Sequence, residues 1–366
     1  MLFSIILTCS LFMLACQQSP ASTNPTSQQQ NEQQNSNNQP ANNQPANNPQ
    51  ANNTAGQDQA GNETNYEKIE IKYIDRNGNQ HIIDLSQLPI TNGVGGFKKS
   101  GGGISGPVGF SGPLLDELVN VYGGFTDEDA LEVTATDDYM MTLSKEQTQG
   151  DITIYNSDGA PIGTGPSDVM IAIDSDAEEM KSSFPRIVYV SQDSPITDGH
   201  FWVRNIAEIK VVPSIIEWNL TMTGLSEYIS DRSTFESIAN CHNSPHPPQT
   251  FEKENKQGTL DTYEGVPLWA LLSTVDGNDL ETGHYRFNKE LADAGYTVQI
   301  VAKDGYKVEL TSQEVIYNND IIVAYRMNNK PLPEEDGPLQ LVGSGLPSKQ
   351  HSIKNIAKIE IVNIPQ

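Results

Sequence analysis

The sequence predicts an α+β fold made of two similar halves, each with mixed β-sheets and few short helices. The first observation is an internal repeat, because Phe110–Leu115 and Tyr263–Leu268 share an aromatic residue, a glycine two positions later, and a proline followed by leucine. The second is that short segments rich in Ile and Val dominate the folded part, several of them alternating with polar residues as strands do. Helical periodicity is confined to a few short pieces, which places the chain in the α+β class.

Two more pairs of segments support the duplication. Val133–Tyr139 resembles Ile300–Tyr306, and Val203–Ile209 resembles Ile353–Ile359. The three pairs occur in the same order in both copies, and the unequal spacing between them indicates loop insertions. Differences between the copies therefore point to functions that only one copy performs.

The individual elements follow from these patterns. Leu115, Leu118 and Val119 fit one face of a short helix, as do Leu268, Leu271 and Leu272 in the second copy, and Phe287–Ala294 is a further helix. Pro213 marks the boundary between the copies. The predicted strands are Glu67–Tyr73, Leu131–Ala135, Val169–Ile173, Ile187–Val190, Ile206–Val212, Thr297–Ala302, Ile321–Tyr325, Leu339–Val342 and Ile356–Val362.

The N-terminal segment predicts export and a lipid anchor. Residues 1–16 form an apolar run ending in Cys16 that is too short to span a membrane, and they are typical of a lipoprotein signal peptide. We expect Cys16 to be diacylated; a plain secretory leader with an incidental cysteine is the alternative. Residues 17–65, rich in Asn, Gln and Pro, predict a disordered tether. The expected location is therefore the extracytoplasmic face of the cell membrane, with domains at residues 66–213 and 214–366.

Charge and cysteine content limit the possible partners and bonds. The formal net charge of −25 disfavours nucleic acid as a partner, since such a surface repels phosphate. Cys9 and Cys16 belong to the predicted leader, so Cys241 is the one thiol that remains in the folded part. An intramolecular disulfide is therefore excluded there.

Several motifs of the second copy resemble the oxidoreductase molybdopterin-binding domain, the fold of the sulfite oxidase family. The motifs are Tyr263–Leu272, Lys303–Tyr306, Ala324–Tyr325, Pro338–Val342 and Lys354–Ile356. The first copy is similar to a variant of the same domain, with Gly95–Ser100 and Thr197–Val203 as its own signatures. The resemblance implies two tandem domains of this type, a molybdenum-molybdopterin cofactor and redox chemistry with an unidentified redox or protein partner.

The resemblance also implies one protein ligand to the molybdenum, a cysteine on the loop that precedes the Tyr263–Leu272 motif. Asn240–Asn243 occupies that place, so Cys241 is the expected ligand and His242 an expected cofactor-binding neighbour. The first copy offers Gly101–Ile104 instead. A small buried cysteine without chemistry is the alternative interpretation.

The same loop could hold a transition metal without any pterin. Cys241, His242 and His246 place three soft or borderline donors within a proline-rich segment, and His284 is a possible fourth ligand. Two surface histidines on a polar loop are the alternative. We expect any chemistry to belong to the second copy, and His200 and Trp202 of the first copy to pack against its final strand.

Two functions remain open at this point. The first is a lipid-anchored oxidoreductase of the molybdopterin-dependent family. The second is a non-catalytic binding or interaction module at the cell surface that kept the fold and lost the cofactor. The second copy has few arginines to bind an anionic pterin, namely Arg232, Arg286 and Arg326, which favours the second function.

Overall fold

The computed structural model describes residues 67–242, 244, 246–278 and 286–365. Strands make up most of the regular structure in this part of the chain. We call residues 67–213 the first half and residues 214–366 the second half. The strands of the first half are β1 (Glu70–Ile74), β2 (Gln80–Asp84), β3 (Thr91–Lys98), β4 (Ile104–Gly112), β5 (Asp129–Ala135), β6 (Met140–Leu143), β7 (Ile152–Tyr155), β8 (Pro161–Gly165), β9 (Asp168–Ala172), β10 (Asp174–Ser175), β11 (Arg186–Val190), β12 (Ile196–Asp198) and β13 (Ile206–Pro213). Its α-helices are α1 (Leu115–Val121) and α2 (Lys145–Thr148).

The second half continues the pattern of many strands and short helices. The described strands are β14 (Asn219–Thr223), β15 (Glu227–Asp231), β16 (Gln249–Glu254), β17 (Leu260–Pro267), β18 (Thr297–Ala302), β19 (Lys307–Thr311), β20 (Ile322–Met327), β21 (Lys330–Pro331), β22 (Gln340–Val342) and β23 (Ile356–Val362). The described helices are α3 (Arg232–Ala239), α4 (Leu268–Leu272), α5 (Lys289–Ala294) and α6 (Ser312–Val315). The 3₁₀ helices, across both halves, are Leu85–Gln87, Glu178–Ser183, Gly199–Phe201 and Lys349–His351.

One sheet in each half has the same strand order. The order is β2-β1-β13-β5-β6 in the first half and β15-β14-β23-β18-β19 in the second. In both sheets the second and third strands are parallel and the other neighbours are antiparallel. The predicted α+β class with mixed sheets and few short helices is confirmed, and the predicted duplication extends to the strand order of these two sheets.

The glycine of the repeated motif is required for the same structural reason in both halves. A Cβ atom at Gly112 would lie 2.1 Å from the carbonyl oxygen of Ile171, and one at Gly265 would lie 2.1 Å from that of Val323. Neither site has room for a side chain, because the backbone of the neighbouring strand, β9 at Gly112 and β20 at Gly265, lies too close to the glycine. The motif thus marks a position where two backbones approach each other closely.

The two predicted helix faces are buried as expected. Leu115, Leu118 and Val119 of α1 are at most 2% exposed, and the residues of α4 are at most 4% exposed. Burial of these leucines places each short helix against the core of its own half. Propensity alone would not maintain helices of this length, so their stability comes from this packing.

The structure corrects one sequence-based correspondence. β16, which the sequence analysis did not predict, lies between the Cys241 loop and the Tyr263–Leu272 motif and forms a hairpin with β17. Gly101–Gly103 lies in the turn between β3 and β4, so its counterpart is the turn of the β16–β17 hairpin and not the Cys241 loop. Polar residues on both faces of β16 hid this strand, because its periodicity is weak.

The two halves belong to one compact unit. α3 of the second half packs against β6 of the first, whose four residues are all buried. Within the described ranges, no helix is both long and apolar enough to cross a membrane. The predicted signal peptide, Cys16, the tether and His284 lie outside the described residues, and the predicted domain boundaries remain predictions.

Candidate functional site

Helix α3 determines where Cys241 lies. The helix begins after Asp231, whose carboxylate accepts a hydrogen bond of 2.7 Å from the backbone N–H of Thr234. It ends at Ala239, and the side-chain amide of Asn240 donates to the carbonyl oxygen of Glu236 (2.8 Å) and to the hydroxyl oxygen of Tyr325 (3.0 Å). Because both ends of α3 are fixed by hydrogen bonds, the position of Cys241 directly after Asn240 is fixed as well.

The loop after α3 links Cys241 to His246 through Ser244. The backbone N–H of Ser244 donates to the carbonyl oxygen of Cys241 (3.2 Å), and the Ser244 hydroxyl is 3.2 Å from Nδ1 of His246. Cys241 is half-buried, His246 is buried, and His242 is exposed. The structure therefore brings Cys241 and His246 into one hydrogen-bonded loop and leaves His242 on the surface.

The structure describes only some of the predicted metal ligands. In the described parts of the chain, no three side chains of His, Cys, Asp or Glu are grouped so that they could hold a metal ion. Asn243, Pro245 and the suggested fourth ligand His284 lie outside those parts. The assignment of Cys241, His242 and His246 as metal ligands remains a prediction.

A buried ion pair fastens α3 to the first half. Nη1 of Arg232 donates to Oε2 of Glu236 (2.7 Å), and the Glu236 carboxylate also accepts from the backbone N–H (2.9 Å) and the hydroxyl (2.7 Å) of Thr142. Nη2 of Arg232 donates to the carbonyl oxygen of Thr142 at 3.0 Å. Loss of water raises the pKa of Glu236, while Arg232 and the Thr142 donors oppose that rise.

Arg232 and Arg326, two arginines whose charges act on Glu236, indicate whether a pterin phosphate fits here. Arg232 binds Glu217 (3.0 Å) as well as Glu236, and Arg326 binds Glu132 (2.9 Å). Their charges are thus compensated by carboxylates, and a phosphate would have to displace one of these partners. The thiol of Cys241 suits a soft metal, but Arg232 and Arg326, already paired with carboxylates, do not fit a phosphate-bearing pterin.

The signature of the first copy around His200 also contacts α3. Nε2 of His200 is 3.1 Å from the Ser233 hydroxyl, and the Tyr139 hydroxyl donates to the carbonyl oxygen of His200 (3.0 Å) and is 3.0 Å from the Ser237 hydroxyl. Trp202 is buried between Phe97 and Phe110 in the first half. Trp202 is therefore a core side chain packed against β3 and β4, its expected packing against the final strand stays a prediction, and His200 reaches across to the second half.

The contacts of Tyr139, Thr142 and His200 with α3 were not predicted from the sequence. Each residue is more than 30 positions away from its partner in α3. One sequence feature could have indicated them. The residues of β6, Met140–Leu143, carry no charge, which is typical of a strand covered on both faces.

A shallow cavity of about 410 Å³ lies elsewhere in the second half. The motif residues Lys303 and Tyr306 line it from the turn between β18 and β19, and Lys354 and Asn355 line it from the segment before β23. Lys354 is paired with Asp336. The cavity thus joins two of the motifs on which the family resemblance depends.

Comparison with known proteins assigns a family description to the second half. Residues 212–366 match the model of the oxidoreductase molybdopterin binding domain. The crystal structure of the sulfane dehydrogenase SoxCD from Paracoccus pantotrophus is similar at 18% identity, with a TM-score of 0.27 over 39% of this chain and 38% of that chain. No curated protein matches the sequence. The family match supports a molybdopterin-binding type of domain in the second half.

Proposed function

We propose that this protein is a lipid-anchored, extracytoplasmic member of the molybdopterin-dependent oxidoreductase family in which Cys241 is the ligand of a redox-active metal centre. The metal is either the molybdenum of the family's cofactor or a transition metal bound without pterin. The observation that carries the proposal is the family match over residues 212–366, which contains the half-buried thiol.

The residues of this chain have defined tasks in that function. A thiolate is a soft ligand, and such ligands prefer molybdenum-type and late transition metals over hard cations. Ser244 holds the imidazole of His246 close to the Cys241 backbone, and α3 fixes the loop against Tyr325. A redox-active metal bound there would supply the redox chemistry, while these residues would orient the sulfur.

Metal content tests the proposal directly. The full chain purified from its native host should contain molybdenum or a transition metal, and Cys241→Ser should lower that content at least about tenfold because the soft ligand is lost. His351→Ala is the matched control, since His351 lies on a separate loop and bonds Ser348. Equal metal content in Cys241→Ser and the parent protein would overturn the assignment of Cys241.

Membrane partitioning tests the anchor separately. Cys16→Ser should move the protein from the membrane fraction to the soluble fraction, whereas Cys9→Ser, in the same leader, should leave it in the membrane. Identical partitioning of the two variants would contradict lipidation at Cys16.

A second candidate is a non-catalytic interaction module at the cell surface. The compensation of Arg232 and Arg326 by carboxylates favours it, because no uncompensated guanidinium of these two is left for a pterin phosphate. Absence of both molybdenum and other transition metals from the protein of the native host would support this candidate and reject the first.

A further inference from the structure

We propose that the first half binds a small oxyanion, of the size of sulfate or inorganic phosphate, between Arg186 and Arg204. The site goes beyond the proposed function, which is confined to the second half, and it does not depend on a metal at Cys241. The observation that carries it is a buried guanidinium without a carboxylate partner in the described part of the chain.

The side chain of Arg186 is almost completely withdrawn from water. Arg186 is the first residue of β11 and is 3% exposed. Its Nη1 donates to the hydroxyl oxygen of Ser183 (3.1 Å) and to Sδ of Met180 (3.1 Å), whereas its Nε has no acceptor in the described residues. A hydroxyl and a thioether are both neutral, so these contacts leave the positive charge of Arg186 without a counter-charge.

Two other arginines that are largely buried show what Arg186 lacks. Arg232 pairs with Glu236, and Arg326 pairs with Glu132. Acidic residues outnumber Lys and Arg by 47 to 22 in this chain, so carboxylates are not scarce. A charge removed from water is costly unless an opposite charge is close. An anion taken up from solution would supply that opposite charge at Arg186.

Arg204 lies beside Arg186 in the fold. The residue after Arg186 donates its backbone N–H to the carbonyl oxygen of Val203 (3.0 Å), and Ile206 donates its N–H to the carbonyl oxygen of Pro185 (2.9 Å). These two hydrogen bonds flank Arg186 on one segment and Arg204 on the other. Arg204 is exposed, and it forms no ion pair with any residue that the structure describes.

The two guanidinium groups therefore repel each other. Burial, and to a smaller extent the charge of Arg204, lowers the pKa of Arg186 to about 9. Arg186 still carries its charge at neutral pH, so two positive charges face each other there. A bound anion would attract both, which is why the pair fits an anion better than it fits water.

The surroundings of Arg186 favour an oxyanion over other anions. Nη1 faces Ser183 and Met180, which leaves the edge formed by Nε and Nη2 to donate to two oxygens of one anion. The rings of Phe97 and Trp202 lie with their centroids 5.5 Å from Cζ of Arg186. Their faces attract the cation but cannot accept its in-plane N–H groups as an oxygen does.

Equilibrium dialysis of the full chain against radiolabelled sulfate or phosphate, at an ionic strength held constant with sodium chloride, tests the site. The parent protein should bind the anion in a saturable manner. Arg186→Met removes the charge at similar volume and should weaken binding at least about tenfold. Arg204→Gln should weaken it about twofold to tenfold, because the exposed charge is screened. Arg76→Gln is the matched control, since Arg76 is paired with Asp129, and should bind like the parent.

Thermal unfolding is the second measurement. The anion at about ten times its dissociation constant should raise the unfolding midpoint of the parent by about 2–4 °C, because it binds the folded chain. Sulfate at high concentration stabilises proteins without any site, so only a rise that saturates is counted. Arg204→Gln changes an exposed side chain, so it should fold normally and show a smaller rise. Lack of saturable binding by the parent, or undiminished binding by Arg186→Met or by Arg204→Gln, would overturn the site.

Discussion

At the scale of single residues, the carboxylate of Glu236 has the most demanding environment near the candidate site. It is 3% exposed and receives hydrogen bonds from Arg232 and from two donors of Thr142. Arg232 also pairs with Glu217, but that carboxylate remains in contact with water. The same guanidinium thus has one buried and one exposed partner.

This difference predicts unequal effects of two similar substitutions. Glu236→Ala should lower the free energy of unfolding by about 3–5 kcal/mol, because it leaves Arg232 buried without its main counter-charge. Glu217→Ala should lower it by at most about 1 kcal/mol, since the lost partner was exposed. Urea denaturation of both variants provides the measurement. Similar losses for the two would show that Glu236 is not the principal partner.

At the scale of elements, α4 shows how a five-residue helix is maintained. Leu268, Leu271 and Leu272 are fully buried, so the helix is held by the core rather than by its own hydrogen bonds. Leu271→Ala should cost about 2–5 kcal/mol of unfolding free energy through the cavity that it creates. Leu225→Ala, at a side chain that is 56% exposed, should change it by no more than about 0.5 kcal/mol. An unchanged unfolding midpoint for Leu271→Ala would contradict the buried face.

The same elements show what the sequence could and could not predict. Apolar periodicity identified α1, α4 and the Val- and Ile-rich strands, because one buried face leaves a regular pattern. β16 was missed since Phe251 is the sole aromatic or aliphatic residue among its six positions. Arg232 and Glu236 have the spacing of an ordinary surface ion pair on a helix, and only the packing of β6 over them makes them buried. Contacts between distant segments have no local signature.

At the scale of the whole molecule, the interface between α3 and β6 should make the two halves unfold together. Separation would expose the apolar residues of β6 and leave Thr142 without its partners on α3. Pulse proteolysis in urea, with fragments of each half followed by mass spectrometry, should give one common midpoint. Digestion of one half at clearly lower urea than the other would contradict this. Metal-binding tests therefore use the full chain and not isolated halves.

The contact between the two halves is asymmetric. A helix of the second half sits on the edge strand β6 of the first, whereas β19, in the corresponding place of the second sheet, alternates between exposed and buried residues. Such a heterologous contact uses different surfaces on its two sides and does not close on itself as a twofold interface does. The asymmetry therefore leaves water only one of the two corresponding strands: β19 presents Lys307, Glu309 and Thr311 to solvent, whereas all four residues of β6 are buried.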